Sequence, residues 1–331
     1  MENQRFLSIA LIYHNEEDHL PDYLENILTL QKSMGSTPIL LIDNASTDSS
    51  YAKVEAWIKK HPTISVQHCK RKWNHMGCAR AQAINLCPTP WLAFIDADCR
   101  PHLGWGQAAL VAVENATDDI AAIGGRSHFV GYGPLQRVAR LLSWCLPWAY
   151  SKNQVQRVTH LPTNNLLMRV HAVQSVGNFS RDFQKVGEDL ELSCRLNKKF
   201  KIIMDPCLEV DHLVKSSLGH WLKKLFNYGL AQPRAFLNHP TQIDKKKLLP
   251  LIFLIGLLIV LWYLPVIGFS TLGLLLVVPV VRPLLLSVIA YALGEWVGLV
   301  TFPIFVISRK NRRVAAFATA RLGKVDSSRK W

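Results

Sequence analysis

The chain has 331 residues, 19% of them charged and 49% apolar, with a mean hydropathy of +0.12. These values exclude intrinsic disorder and collagen-like or low-complexity classes, and they imply that part of the chain lies outside water. Basic residues outnumber acidic ones 38 to 24, a net +14; +7 of it (eight Lys/Arg against one Asp) sits in residues 309–331, just after a long apolar block. A basic segment so placed suits an anionic membrane surface, and no RNP motif or zinc-finger spacing points to nucleic acid.

Residues 6–13, FLSIALIY, read as a fully buried strand. The apolar run is short and is followed at once by acids, which excludes a signal peptide. A helix is predicted over 18–33, with Pro21 in its first turn and Leu20, Leu24, Ile27, Leu28 and Leu30 on its apolar face. PILLIDN (38–44) is a second strand. Residues 46–60 form an amphipathic helix with Ser46, Thr47 and Asp48 available as cap. ISVQH (64–68), a small-residue helix over 77–86, WLAFIDAD (91–98) and a strand over 120–125 continue the alternation. A further strand-like run covers 201–204. The seven cysteines, Cys69, Cys78, Cys87, Cys99, Cys145, Cys194 and Cys207, form no CxxC pair and read as reduced thiols.

Apolar strands alternating with helices predict an α/β fold, a mostly parallel sheet covered on both faces. Ligands of such sheets bind beyond the carboxyl ends of the strands. Three of those ends carry acids: Asn15-Glu16-Glu17, Asp43-Asn44 and Asp96-Ala97-Asp98.

Segments 134–150 and 217–239 are amphipathic, with aromatic residues beside Lys and Arg; they are core-facing helices or lie in a bilayer interface, and their position before the apolar block favours the interface. Residues 248–308 hold two charged side chains, Arg282 and Glu295. Residues 248–267, uncharged, and residues 284–307, containing Glu295, are each long enough to cross about 30 Å of hydrocarbon. The apolar stretch 268–281 between them, broken by prolines, is a third helix or a re-entrant turn. Lys245, Lys246 and Lys247 before the block, and Arg309, Lys310, Arg312 and Arg313 after it, place both ends on one side. The predicted organisation is a catalytic domain over 1–215, an amphipathic interface segment over 216–247, a transmembrane region of two or three helices over 248–308, and a basic cytoplasmic tail over 309–331.

The ordered set YHNEE (13–17), LIDNASTD (41–48), NHMGCARAQAI (74–84), FIDADCRP (94–101), NNLLMR (164–169), VGNF (176–179) and GEDLELSCRL (187–196) resembles glycosyltransferase family 2. Its members have the GT-A fold and use nucleotide-sugar donors. The likeness covers roughly residues 6–212, and the C-terminal block resembles that of membrane-attached members, such as succinoglycan-type ExoA or lipid-linked-oligosaccharide enzymes. The resemblance implies a catalytic domain on the cytoplasmic face of a multi-pass inner-membrane protein in polysaccharide biosynthesis.

A nucleotide-sugar donor loses a diphosphate whose charge needs stabilising. Two carboxylates spaced D-x-D can hold a hard divalent cation, Mg²⁺ or Mn²⁺, against it. Asp98 is the expected ligand. By the resemblance, Asp96 faces the ribose or reaches the metal through water, and His212 is a further candidate ligand. Asp43 would accept from the base, with Glu16 near the nucleoside. Arg80 is a candidate for the base or diphosphate. The chain reads Asp43-Asn44 where many relatives carry two acids. Asp189 is implied as the base that deprotonates an acceptor hydroxyl, so that one displacement inverts the anomeric centre. Glu188 would orient the acceptor or support Asp189, while Asn164 and Asn165 would line the acceptor side or satisfy a turn. No QxxRW follows the Glu188-Asp189 pair, which argues for one sugar per encounter.

The expected activity is inverting, metal-dependent transfer of one sugar to a hydroxyl of a membrane-borne, lipid-linked glycan. The alternatives are a polyprenyl-phosphate glycosyltransferase, whose anionic acceptor needs no base, and a catalytically degenerate membrane scaffold.

Overall fold

The computed structural model describes residues 6–35, 37–131, 134–143, 154–183, 186–214, 217–242, 249–264, 272 and 281–308. Strand β1 (Leu7–Tyr13) is buried at every position and forms the middle of the first half of the sheet. It pairs in parallel with β2 (Ile39–Asp43) on one side and β4 (Trp91–Ile95) on the other; β3 (Val66–Lys70) adds outside β2. Helices α1 (Leu20–Ser33), α2 (Ser50–Lys60) and α3 (Met76–Leu86) make the crossovers.

Alternation along these strands divides the core into two layers. Leu7, Ile9, Leu11, Ile39, Leu41 and Ala93 face α1, α2 and α4 (Trp105–Glu114), with Trp105 buried among them. Ala10, Ile12, Leu40, Ile42, Leu92 and Phe94 face the small-residue stripe Ala79, Ala83 and Ile84 of α3. Both faces are covered, which is why these strands read as unbroken apolar runs.

The second half of the sheet departs from the mostly parallel expectation. Beyond β4 the order is β8 (Asn165–Arg169), β6 (Ile120–Val130), β9 (Lys201–Leu213) and β5 (Cys99–Pro101), and the two-residue β7 (Gln156–Arg157) also pairs with β9. β8 is antiparallel to both β4 and β6, β9 is parallel to β6, and β5 is antiparallel to β9. The sheet is therefore mixed. The strand predicted to run through Asp98 ends at Ile95, because the chain turns there; the Cys99 N–H donates to the Asp96 carbonyl (2.9 Å). The strand predicted over 201–204 runs nine residues further and carries His212 into the sheet.

The short α6 (Val170–Ser175) and α7 (Glu188–Leu196) lie on the α3 side. Gly187 caps α7 with φ +91°, a region open to glycine, and a side chain there would meet the Ala231 methyl. Glu191, inside α7, is 3% exposed and held by Arg195 (2.9 and 2.6 Å) and by His239 Nε2 (3.1 Å). Burial pushes its carboxyl up, but the hydrogen bonds from His239 and Arg195 and their charges prevail and hold it below 4.5. Its stabilising contribution is therefore complete above that pH and is lost as the pH falls through the lower folded value. Glu191→Ala is expected to cost about 3–5 kcal/mol by stranding its partners. The difference in Tm between wild type and Glu191→Ala, followed down the pH scale, is expected to shrink only below about pH 4.

Helix α8 (Leu218–Asn238) is amphipathic, as expected for 217–239, but its apolar face is buried in protein. Trp221, Leu225, Ala231, Ala235 and Phe236 are all buried, against α7 or against α10 (Val281–Val300). The two long helices touch at backbone distance. A Cβ on Gly229 would strike the Tyr291 carbonyl, and one on Gly294 the Phe226 carbonyl. Small residues at a helix crossing allow this approach. Glu295, fully buried, accepts from Gln232 Nε2 (2.7 Å), and Trp221 Nε1 donates to Ser287 (2.9 Å).

One helix among the described residues, 282–300, is long and apolar enough to cross a membrane, and part of it is buried within the chain. The span predicted over 248–267 contains α9 (Leu249–Tyr263); residues 248 and 265–267 of it lie outside the described residues. Of the two expected spans, the described residues support one. Residues 144–150, 245–247, 265–271, 273–280 and 309–331, which carry the rest of the amphipathic, re-entrant and basic-tail expectations, lie outside the described residues. Segment 134–143 forms α5.

Candidate active site

Asp96 and Asp98 lie in the turn between β4 and β5, at the carboxyl edge of the sheet. β9 brings His212 opposite, because Cys99 and His212 are register partners. His212 Nε2 and Asp98 Oδ2 are 3.1 Å apart. Burial alone would raise the Asp98 carboxyl; the charge and hydrogen bond of His212, with Lys224 behind, outweigh it and hold Asp98 far below the usual aspartate range. Asp96 goes the other way: enclosure and the neighbouring Asp98 charge raise it against the pull of Arg80. The pair thus contains one strongly ionised carboxylate and one that is protonated more readily.

Arg80, 6% exposed on α3, is the centre of a second contact set. It pairs with Glu188 and lies 3.5 Å from Asp96. Glu188 is 2% exposed, so it holds the guanidinium and has no open face for an acceptor. The close approach depends on Gly77 one turn earlier, where a side chain would strike the Ser180 and Phe183 carbonyls and touch Glu188.

Asp189, at the start of α7, accepts from the Leu190 N–H (2.7 Å) and lies 3.8 Å from His160 Nε2. Burial would raise it, but His160 and Arg80 hold its carboxyl below the ordinary value. It is ionised wherever the protein is folded at neutral pH, as a base must be.

Two residues that no local pattern singled out complete the site. Lys224 and Tyr228 stand one turn apart on α8, in line with Ala231 against Gly187. Tyr228 beside it, together with Asp98 and Asp96, holds the Lys224 ammonium above its usual range. Burial raises the Tyr228 phenol, and Asp189, Asp96 and Asp98 raise it further. Tyr228 therefore stands in the field of all three carboxylates, and Lys224 in that of Asp96 and Asp98. An i, i+4 pair on an amphipathic helix was the available signal, but its direction depends on how α8 docks.

The four other expected residues are placed as follows. Asn165, 1% exposed, accepts from Trp105 Nε1 (2.9 Å) and donates to the Arg126 and Leu208 carbonyls; it ties β8 to its neighbours and lines no acceptor site. Asn164 Nδ2 contacts His212 Nδ1 (3.2 Å) and Ser127 Oγ (3.0 Å), so it orients the histidine. Asp43 is fully buried: its Oδ1 accepts from the Ser46 N–H (2.9 Å) and shapes the turn, while its Oδ2 has no partner. Glu16 takes a loop position, its N–H on Ser50 Oγ (2.9 Å).

Asp98, Cys99 and His212 offer ligand atoms within 4.8 Å of one another. Asp98 and His212 fit a divalent cation by donor chemistry. A second observation agrees. Asn164 Oδ1 is buried without a partner, and a turned amide would accept from His212 Nδ1–H and free Nε2 to ligate.

The acids, Arg80 and His212 thus gather at the carboxyl edge of a mixed α/β sheet. Residues 8–178 match the glycosyl transferase family 2 domain. The chain belongs to glycosyltransferase family 2. It is 27% identical over 218 residues to the pre-mycofactocin glycosyltransferase of Mycobacterium tuberculosis, covering 64% of this chain and 45% of that one; it spans less than half of that relative. It is 21% identical over 256 residues to glycosyltransferase AglE of Haloferax volcanii, covering 76% and 81%. Its fold is similar to that of the Pyrobaculum calidifontis mannosyltransferase PcManGT solved with GDP-Man and Mn²⁺ (TM-score 0.62, 15% identity, 89% of this chain and 88% of that chain). It is also similar to GalNAc-T7 solved with UDP, GalNAc and Mn²⁺ (TM-score 0.53, 17% identity, 71% and 52%).

Proposed function

We propose that the protein transfers one sugar from a nucleotide-diphosphate donor to a hydroxyl of a membrane-borne, lipid-linked glycan, with metal assistance and inversion. The observation that carries this reading is that the Asp96–Asp98 turn and Asp189, distant in sequence, meet common neighbours: Arg80 lies 3.5 Å from Asp96 and acts on Asp189, Lys224 acts on Asp96 and Asp98, and Tyr228 faces all three. Asp98 and His212 would hold Mg²⁺ or Mn²⁺, which supplies Lewis-acid stabilisation of the leaving diphosphate. Arg80, fixed by Glu188, and Lys224 add positive charge on the same side. Asp189 accepts the acceptor proton as the hydroxyl attacks, and a single displacement inverts the anomeric carbon. Asp43 Oδ2, unpartnered at the end of β2, is the acceptor atom available to a base N–H once its cover opens.

Membrane attachment rests on α9, whose Ile252, Phe253, Ile255, Leu258, Ile259 and Trp262 are all exposed, and on α10. An exposed apolar surface of this extent needs lipid or protein cover. The inner membrane, with the catalytic domain on its cytoplasmic face, is the location that fits a lipid-linked acceptor.

The test is a donor screen of the detergent-held full chain with UDP- and GDP-sugars plus Mn²⁺, read by thermal shift and then by NMR of the product anomer. Retention of configuration, or no Mn²⁺-dependent response to any donor, overturns the reading. Lys224→Met is expected to lower kcat/KM for the donor about ten- to a hundredfold, the worth of one charged contact. Steady-state kinetics at varied donor concentration measures it.

A further inference from the structure

Strand β9 presents two faces. Val210 and His212 point to the side of Ser127, Phe129 and Asn164, where the catalytic centre lies; His212 stacks on Phe129 and meets Asn164. By the two-residue period, Glu209 and Asp211 point to the reverse side, with their register partners Arg126 and His128. His102, just past β5, joins them, fixed by its own N–H to the Glu209 carbonyl (2.9 Å).

On this reverse face three ligand-type atoms converge. His102 Nδ1 is 3.3 Å and His128 Nε2 3.4 Å from the same carboxylate oxygen, Glu209 Oε2. The other oxygen, Oε1, is held by Arg126 Nη1 (3.2 Å), which aims Oε2 at the histidines. The other nitrogen of His102, Nε2, is 2.9 Å from Asp211 Oδ1. Hydrogen bonding does not account for the cluster. His128 Nε2 is enclosed and has no hydrogen-bond partner. A neutral His102 that donates Nε2–H to Asp211 turns a bare lone pair at Nδ1 toward Glu209.

These atoms match a metal site in three respects. A tetrahedral centre with bonds of about 2.0–2.1 Å has ligand-to-ligand edges of about 3.3–3.4 Å, the two imidazole-to-carboxylate separations found here, and all three atoms lie within 4.8 Å of one another. A ligating histidine commonly passes its second N–H to a carboxylate, as His102 does to Asp211. Two imidazoles and one carboxylate favour Zn²⁺ or a similar transition metal over the hard cations that suit the Asp96–Asp98 turn. We infer that His102, His128 and Glu209 form a second divalent-cation site, of zinc type, on the face of β9 opposite the catalytic centre. An ion there clamps β5, β6 and β9 together one residue from His212. The inference stands on this cluster alone and does not depend on the reaction proposed above.

The test uses the full chain in detergent, stripped with EDTA and titrated with Zn²⁺ alone by calorimetry, with bound metal counted after desalting. Wild type is expected to take up two Zn²⁺ per chain, and the Asp98→Asn/His212→Ala protein one. In that background His128→Gln or Glu209→Gln is expected to weaken the remaining site at least tenfold. Zn²⁺ at saturation is expected to raise Tm by about 5 °C in the parent background and not in the His128→Gln protein. Far-UV circular dichroism verifies that each variant is folded. No Zn²⁺ uptake by the Asp98→Asn/His212→Ala protein, or uptake there unchanged by both His128→Gln and Glu209→Gln, overturns the inference.

Discussion

Asp189→Asn is expected to lower kcat about 10²–10⁴-fold while leaving the affinity for nucleotide-sugar within a few-fold of wild type. The side chain is nearly isosteric and can still accept from the Leu190 N–H, so the start of α7 keeps its geometry. What disappears is a carboxylate held ionised by His160 and Arg80. Transfer to a hydroxyl requires that base; transfer to a lipid phosphate does not. Kinetics with the two acceptor types therefore separate the hydroxyl reading from the polyprenyl-phosphate one. Loss on a hydroxyl acceptor with intact donor binding supports the first, and unchanged turnover on a phosphate acceptor supports the second. Thermal shift with donor checks that binding persists.

Asp98→Asn is expected to remove most cation-dependent activity, about a thousandfold, since a Lewis acid supplies several kcal/mol to a departing diphosphate and each 1.36 kcal/mol is tenfold. The amide can still contact His212, so the fold is expected to persist, with Tm within a few degrees of wild type. The lost property is negative charge: Asp98 is the carboxylate that His212 and Lys224 hold most firmly ionised. Calorimetric titration with Mn²⁺ in the presence of UDP or GDP, beside kcat at saturating Mn²⁺, measures both effects. Full activity of Asp98→Asn without added metal would sink the assignment. His212→Ala is expected to fall between the two, because one of two ligands remains.

Much of this was legible from local pattern. Continuous apolar runs marked β1, β2 and β4, and their ends marked the edge where Asp96 and Asp98 stand. The Gly187-Glu188-Asp189 run marked the start of α7, and the left-handed φ of Gly187 explains why glycine is there. The motif order singled out Arg80 and His212, and the fold brings them beside Asp96 and Asp98.

The misread residues share a cause. Asn165 and Glu188 are polar side chains beside motif positions, and only packing shows that one ties strands together and the other anchors Arg80. The second half of the sheet misled in the same way. Strand direction depends on which partner a segment finds, and β8 enters antiparallel between β4 and β6. The α8–α10 crossing was also hidden. Glu295 reads as a lone acid in an apolar span until Gln232 is seen to hold it.

By itself the sequence determined where apolar backbone becomes strand, where acids stand at strand ends and which side chains can act as base or ligand, because these follow from residue type and period over a few neighbours. Only the tertiary structure decided that Lys224 and Tyr228 face the carboxylates, that Asp43 turns inward, and that Glu209 and Asp211 meet His102 and His128 behind the site. Those outcomes depend on the docking of elements far apart along the chain, and no local periodicity encodes the direction in which a docked side chain points.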